Sequence, residues 1–265
     1  MAVIAIDDAD DPRIAAFRDI RERDLAGRAG HFVIEGEVVL RTALRSGRFP
    51  VEAVLLADKR VAGLADLIGA LPAKVPVYAA GQAAMDAIAG FPIHRGILAL
   101  GRRQAAPTPD ALLGALEGPA VVVALFGIGN HDNMGGVFRN AAAFGAGAVL
   151  LGSDCCDPLY RKAIRVSVGA ALKVPFATAA SLDDLAGQLD GAGFDLIALS
   201  PQGDVDIADV RPGRRRALLL GSEGTGLPAA LLARLTSVRI PIASDFDSLN
   251  VAAASAIALH RLARV

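Results

Sequence analysis

The chain reads as an α/β protein of two domains, and three observations carry that reading. Short apolar runs of strand length alternate with Ala-rich helical runs from one end to the other. The 265 residues are 53% hydrophobic, enough apolar surface for two cores. The stretch RRQAAPTPD, from Arg102 to Asp110, interrupts the alternation with two prolines that continue neither a helix nor a central strand.

Before that break, HFVIEG, VEAVLLA, VPVYAA and RGILALG predict buried strands. The helical runs EVVLRTALRSG, KRVAGLADLIGAL and QAAMDAIAG lie between them. A first domain over residues 1–103 and a linker over 104–118 follow. Beyond the linker, the strands are AVVVALFG, AVLLG, VPFAT, FDLIALS, RALLLG and VRIPIA. Helices are expected around Phe138 to Phe144, Tyr160 to Ala171, Leu182 to Leu189 and Asn250 to Leu262, which makes residues 119–265 a second α/β domain.

Composition excludes several classes. The longest uncharged apolar stretches fall far short of a membrane span, and the acidic start MAVIAIDDADD lacks the basic end of a signal peptide, so a cytoplasmic protein is expected. The two cysteines, Cys155 and Cys156, are adjacent, which offers neither a disulfide framework nor spaced zinc ligands. A reduced, partly buried pair is the expectation. With 27 basic and 28 acidic residues the chain has no bulk attraction for a polyanion. Basic patches are therefore sought locally: Arg102 and Arg103; Arg161, Lys162 and Arg165; Arg211 with Arg214, Arg215 and Arg216. Singly, each reads first as a solvated face.

Three segments put a strand directly before small and polar residues and then an apolar helix: Gly127 to Gly147, Leu218 to Pro228, and Ile240 to His260. Such turns expose backbone N–H groups at a strand's carboxyl edge, where α/β proteins bind ligands, and they suit a nucleoside-like group. The first segment adds Arg139 on the first turns of its helix. Familiar alternatives fail residue by residue. A dinucleotide fingerprint in GIGNHD would need glycine at Asp132. A phosphate-binding loop over Gly221 to Gly226 would need Lys and Ser or Thr, where Leu227 and Pro228 stand. His31, His94, His131 and His260 are scattered, so no metal is expected.

NMGGVFRNAAAFGA from Asn133, LLLGSEGTGLP from Leu218 and IPIASDFDSLNVAAASAIAL from Ile240 resemble, in order, the three motifs of the SpoU (TrmH-type) RNA ribose 2′-O-methyltransferases of the SPOUT superfamily. DPLYRKAIRVSVGA, from Asp157, resembles the family between its first two motifs. HFVIEGEVVLRTAL and HRGILALG are similar to the ribosomal-protein-like RNA-binding domain that many of these enzymes carry. The resemblance implies a small N-terminal α/β RNA-binding domain followed by a SPOUT α/β domain with a C-terminal trefoil knot. It implies S-adenosylmethionine (AdoMet) as methyl donor, tRNA or rRNA as substrate, and a homodimer through the C-terminal domain.

By motif position the resemblance places Ser200, Gly221, Ile240 and Leu249 around AdoMet and gives Arg139, Asn133, Glu223, Ser248 and Asn250 to the chemistry. A ribose hydroxyl is a poor nucleophile at neutral pH, so its developing charge needs a partner. An arginine stabilises an alkoxide without changing protonation, which favours electrostatic stabilisation over base action at Arg139. Plainer roles compete: Asn133 and Ser248 as helix caps, Glu223 as a favourable charge at a helix start. The chain departs from the family where many members have Asp-Pro before the motif asparagine and this one has Asn130 and His131. Two other readings remain, a catalytically inactive RNA-binding protein on the same fold and a nucleotide-binding oxidoreductase. The intact arginine and SLN triplet weigh against the former, the broken glycine pattern against the latter.

Overall fold

The computed structural model describes residues 2–18, 30–90, 95–211, 213–222 and 224–263. The chain divides into two compact units: residues 1–104 with 159–173, and 105–158 with 174–265. In the first, strands β1 (Val3–Ile6), β2 (His31–Glu35), β3 (Val51–Ala57), β4 (Val77–Ala80) and β5 (Ile97–Arg102) form a sheet in the order β1-β4-β3-β5-β2. β1, β4 and β3 run parallel, while β5 is antiparallel to both of its neighbours. Helices α1 (Glu37–Ser46), α2 (Ala65–Ala70) and α3 (Gln82–Ala89) connect the strands. Ile14, Phe17, Leu55, Met85 and Leu98 are buried together in its core.

Two features of this unit differ from the sequence reading. β1 is a four-residue strand against β4 that the acidic surroundings of AVIAI concealed. KRVAGLADLIGAL does not make one helix: two 3₁₀ turns, Asp58–Arg60 and Ala62–Leu64, precede the short α2. Gly63 inside the run and the lack of any side-chain cap account for the break.

The second unit opens with α4 (Pro109–Gly114), inside the stretch expected to be a linker. Thr108 Oγ1 accepts from Ala111 N–H and Pro109 takes the first helical position, so the second proline starts a helix instead of preventing one. β6 (Ala120–Leu125), α5 (His131–Ala143) and β7 (Ala148–Leu151) follow. The chain then contributes α6 (Arg161–Val166) and α7 (Ala170–Lys173) to the first unit, where α7 packs on α1. The single helix expected there is split at Ser167 to Gly169. Back in the second unit come β8 (Phe176–Thr178), α8 (Leu182–Gly191), β9 (Asp195–Leu199), β10 (Val205–Asp206), β11 (Arg215–Leu220), α9 (Ala229–Leu232), β12 (Thr236–Arg239) and α10 (Val251–Leu262). β12 stops short of Pro241, which cannot donate to a ladder, so VRIPIA is strand only in its first part.

All seven strands of this sheet are parallel, in the order β10-β12-β9-β11-β6-β7-β8. α4 and α8 bury Leu112, Leu113, Leu185 and Leu189 against it, as an all-parallel sheet requires. α5 and α10 pack on each other, and Phe138 of α5 meets Phe176 edge to face at 5.7 Å. Among the described residues no helix is long and apolar enough to cross a membrane.

Candidate functional site

β12, β9 and β11 lie side by side and parallel, so the residues leaving their carboxyl ends, Ile240, Ser200 and Gly221, emerge along one edge. A cavity of ≈ 610 Å³ opens there, within the size range of small-molecule sites. Ser200, Gly221, Ile240, Leu249, Ser248 and Asn250 all line it. Sequence reading missed Gln202, Ile242 and Asp247, which line it too. Their signal was proximity alone: each stands within two residues of an expected position.

Gly221 is where the cavity wall admits no side chain. A Cβ built there would lie 2.2 Å from the Gly226 carbonyl carbon and 2.4 Å from the Leu227 nitrogen, both backbone. The loop doubles back because Gly226 N–H donates to Ser222 O at 3.0 Å, with Gly224 (φ +96) and Gly226 (φ +65) in conformations that L side chains rarely adopt. Ser222 and Thr225 close the turn through their hydroxyls, 2.6 Å apart. Glu223, between them, lies outside the described residues, as does His94.

The start of α10 lines the cavity too, and the start of α5 is bonded to it. Asn130 caps α5, its Oδ1 accepting from Asp132 N–H at 2.7 Å and Asn133 N–H at 3.4 Å. This cap draws the helix start upstream, so Arg139 stands in the third turn of α5 and not in its first turns. Nor are Asn133 and Ser248 the caps: Asn130 and Asn250 are. Asn250 Oδ1 accepts from Ala252 and Ala253 N–H, which leaves its Nδ2 to donate to Asn133 Oδ1 at 2.8 Å. Asn133 is buried, so this bond ties the first motif to the third inside the unit. Farther along, Asn140 Nδ2 donates to Ala252 O and Ser255 Oγ, and a Cβ on Gly136 would come 2.6 Å from the Ala252 Cβ. Close approach of the helices thus depends on glycine at that crossing.

Arg139 projects from this assembly exposed, with no hydrogen bond or ion pair among the described residues. Most other candidate cations are committed. Arg161 is bound to Glu35 at 2.7 Å with both side chains about nine-tenths buried. Arg102 pairs with Glu52; Arg215 donates to three backbone carbonyls; Arg216 is buried and donates to Leu262 O at 2.7 Å. Solvated faces were expected at these positions; Arg102 is exposed as expected, whereas packing has claimed Arg161, Arg215 and Arg216. Cys155 and Cys156 are half-buried free thiols, and burial pushes both up, Cys156 to about 11, which disfavours the thiolate form.

A model of the SpoU rRNA Methylase family matches residues 120–260. The chain is 40% identical over 268 residues to an uncharacterized tRNA/rRNA methyltransferase of Mycobacterium bovis, covering 97% of this chain and 90% of that protein. It is 33% identical over 184 residues to a 23S rRNA (guanosine-2′-O-)-methyltransferase of Bordetella pertussis, covering 68% and 74%. Among solved structures it is similar to an AdoMet-bound rRNA methyltransferase from Sinorhizobium meliloti, with a TM-score of 0.83, 24% identity and coverage of 99% and 97%. It is also similar to an RNA 2′-O ribose methyltransferase, with a TM-score of 0.77, 25% identity and 97% of each chain covered.

Proposed function

The chain belongs to the SpoU rRNA methylase family, and from that premise we propose that it transfers a methyl group from AdoMet to a ribose 2′-hydroxyl of tRNA or rRNA. The observation that carries the proposal is that one unit holds both a glycine-walled cavity and Arg139, exposed and without a hydrogen bond or ion pair among the described residues. The cavity's residues fit AdoMet. Leu199, Ile240, Ile242 and Leu249 offer apolar walls for an adenine ring, and Gln202, Ser200 and Ser248 offer polar groups to orient it. Asp247 sets a carboxylate where a cationic sulfonium compound would be held. Bound there, AdoMet supplies an electrophilic methyl group that no residue of the chain could provide.

What remains for the protein is to position the hydroxyl and stabilise its charge. Arg139 presents a permanent cation for the developing alkoxide. Asn133 and Asn250 hold α5 and α10 together, which fixes the helix carrying Arg139 relative to the cavity wall carrying Leu249 and Asn250. Glu223 is assigned to orient Arg139 and Ser248 to meet the substrate. The unit of residues 1–104 with 159–173 reads the RNA and the unit of 105–158 with 174–265 catalyses, with the C-terminal segment knotted and two copies joined through that second unit.

Radiolabelled AdoMet with in vitro-transcribed tRNA and 23S rRNA, followed by nucleoside digestion, tests the reaction. The expected product is a 2′-O-methylnucleoside. Label found on a base, or in no RNA at either substrate, would sink the assignment.

A further inference from the structure

Val168 is the one non-glycine residue with positive φ among the described residues (φ 54), and a β-branched side chain is the costliest kind to place there. The conformation is the end of α6. Val168 N–H donates to Arg165 O at 3.1 Å and Gly169 N–H to Ile164 O at 2.9 Å, the paired bonds of a Schellman motif, in which the left-handed position ordinarily goes to glycine. Burial does not compensate, because Val168 is 37% exposed.

Its surroundings hold the turn in place regardless. Ser167, 1% exposed, donates to Ile164 O and accepts from Ala171 N–H. Gly169 sits so close to α1 that a Cβ would lie 3.2 Å from the Thr42 Cβ and 3.4 Å from the Val39 Cα. Strain persists where the structure over-determines it, and such positions gather at functional surfaces. Three residues before Val168, Arg165 is also exposed, without a hydrogen bond or ion pair among the described residues. The cation alone has a bland explanation, since helix C-termini favour positive charge. A strained, exposed valine has none.

We infer that Val168 and Arg165 form an RNA contact, the isopropyl group resting on a ribose or base face and the guanidinium on a neighbouring phosphate. A fixed apolar knob beside a free arginine matches a strand that alternates apolar faces with anionic phosphates. A protein partner would need more apolar surface: Val38 and Val168 are the only large exposed hydrophobics of the described residues in this unit. The inference rests on the RNA substrate proposed above and adds a place where it is held.

Val168→Gly in the full chain separates the roles, because glycine relieves the backbone while deleting the knob. The Kd for in vitro-transcribed 23S rRNA or tRNA, whichever the wild type binds, is expected to rise about 5- to 10-fold. The AdoMet Kd should stay constant, and Tm should rise by roughly 2–4 °C. Arg165→Ala should weaken RNA binding and flatten its salt dependence by about one phosphate contact. An unchanged RNA Kd in Val168→Gly overturns the inference, as does a fall in Tm, which would make Val168 a packing residue. Wild-type protein that binds neither RNA overturns it as well. Binding without methyl incorporation would refute the proposed reaction and still leave the Kd comparison readable.

Discussion

In the first unit several of the described arginines close onto carboxylates. Arg41 pairs with Glu37 and Asp66, Arg60 with Glu37, Arg102 with Glu52 and Arg161 with Glu35. In the second unit they close mostly onto backbone carbonyls: Arg215 holds the α4–β6 connection, Arg216 the end of α10, Arg239 the loop at Gly203 and Asp204, and Arg261 the carbonyls from Ile207 to Val210. The first arrangement neutralises charge and the second leaves it unneutralised while fastening loops and helix ends. Among the described residues of the first unit, exposed Arg165 stands outside these pairs. In the second, Arg139 is conspicuous because so many of its neighbours in sequence type have structural duties. A guanidinium suits both uses, since its five donors serve a carboxylate or several carbonyls equally well.

The contrast is most easily broken in the first unit, at its buried pair. Removing one partner of a buried ion pair costs about 3–5 kcal/mol, because the other charge keeps its desolvation penalty. Glu35→Ala is expected to lower Tm by roughly 10 °C, read by calorimetry. Asp66→Asn, which weakens an exposed pair held by the same kind of hydrogen bond, should leave Tm unchanged. Equal effects of the two substitutions would mean that burial does not rank these pairs.

In the second unit the corresponding break is Arg139→Ala. With no structural partner among the described residues to lose, the variant should keep its Tm. Its methyl transfer at saturating substrates should fall about 100-fold or more, the typical loss for one preorganised charge contact. The AdoMet Kd, by titration calorimetry, should change less than about twofold. A variant that turns over normally, or that unfolds, would return Arg139 to the structural group.

These assignments show which parts of the molecule sequence reading can reach. Strands such as Val51–Ala57 and Ala120–Leu125 are continuous apolar runs, and buried parallel strands advertise themselves in that way. The cavity-lining set was reachable because Ser200, Gly221 and Ile240 each directly follow a strand. Helix limits were less legible. Asn130 and Asn133 are equally good caps on paper, and only the backbone decides between them. Least legible were the arginines, since nothing local to RPGRRRALLL reveals that Arg215 lies over the Phe194 ring or that Arg216 reaches Leu262. Long-range partners are set by topology, which periodicity does not encode.

A smaller effect tests whether the cavity wall at Gly221 depends on backbone contact. Gly221→Ala forces a methyl group against the Gly226 and Leu227 backbone, where no flexible side chain can yield. Overpacking of that kind costs about 1–3 kcal/mol, which predicts an AdoMet Kd weakened about 10-fold. Gly224→Ala on the same loop meets no atom within 4 Å and carries only the cost of its positive φ, so its affinity loss should be smaller. The reverse order would place the cofactor away from Gly221.

The smallest expected change separates the two duties of Asn250. Its Oδ1 caps α10, and its Nδ2 bridges to Asn133. Asn250→Ala removes both and should cost about 1 kcal/mol, the usual value of an N-cap, together with some catalytic rate. Asn250→Asp keeps an acceptor for the Ala252 and Ala253 N–H groups and places negative charge at a helix N-terminus, so the cap survives or improves. It has no donor for Asn133 Oδ1, however, and sets a carboxylate against that oxygen. If the bridge positions α5 for catalysis, Asn250→Asp will match the wild type in Tm while losing methyl transfer as fully as Asn250→Ala does. Should the aspartate variant instead retain both Tm and rate, the amide bridge is incidental and Asn250 acts in this fold as a cap alone.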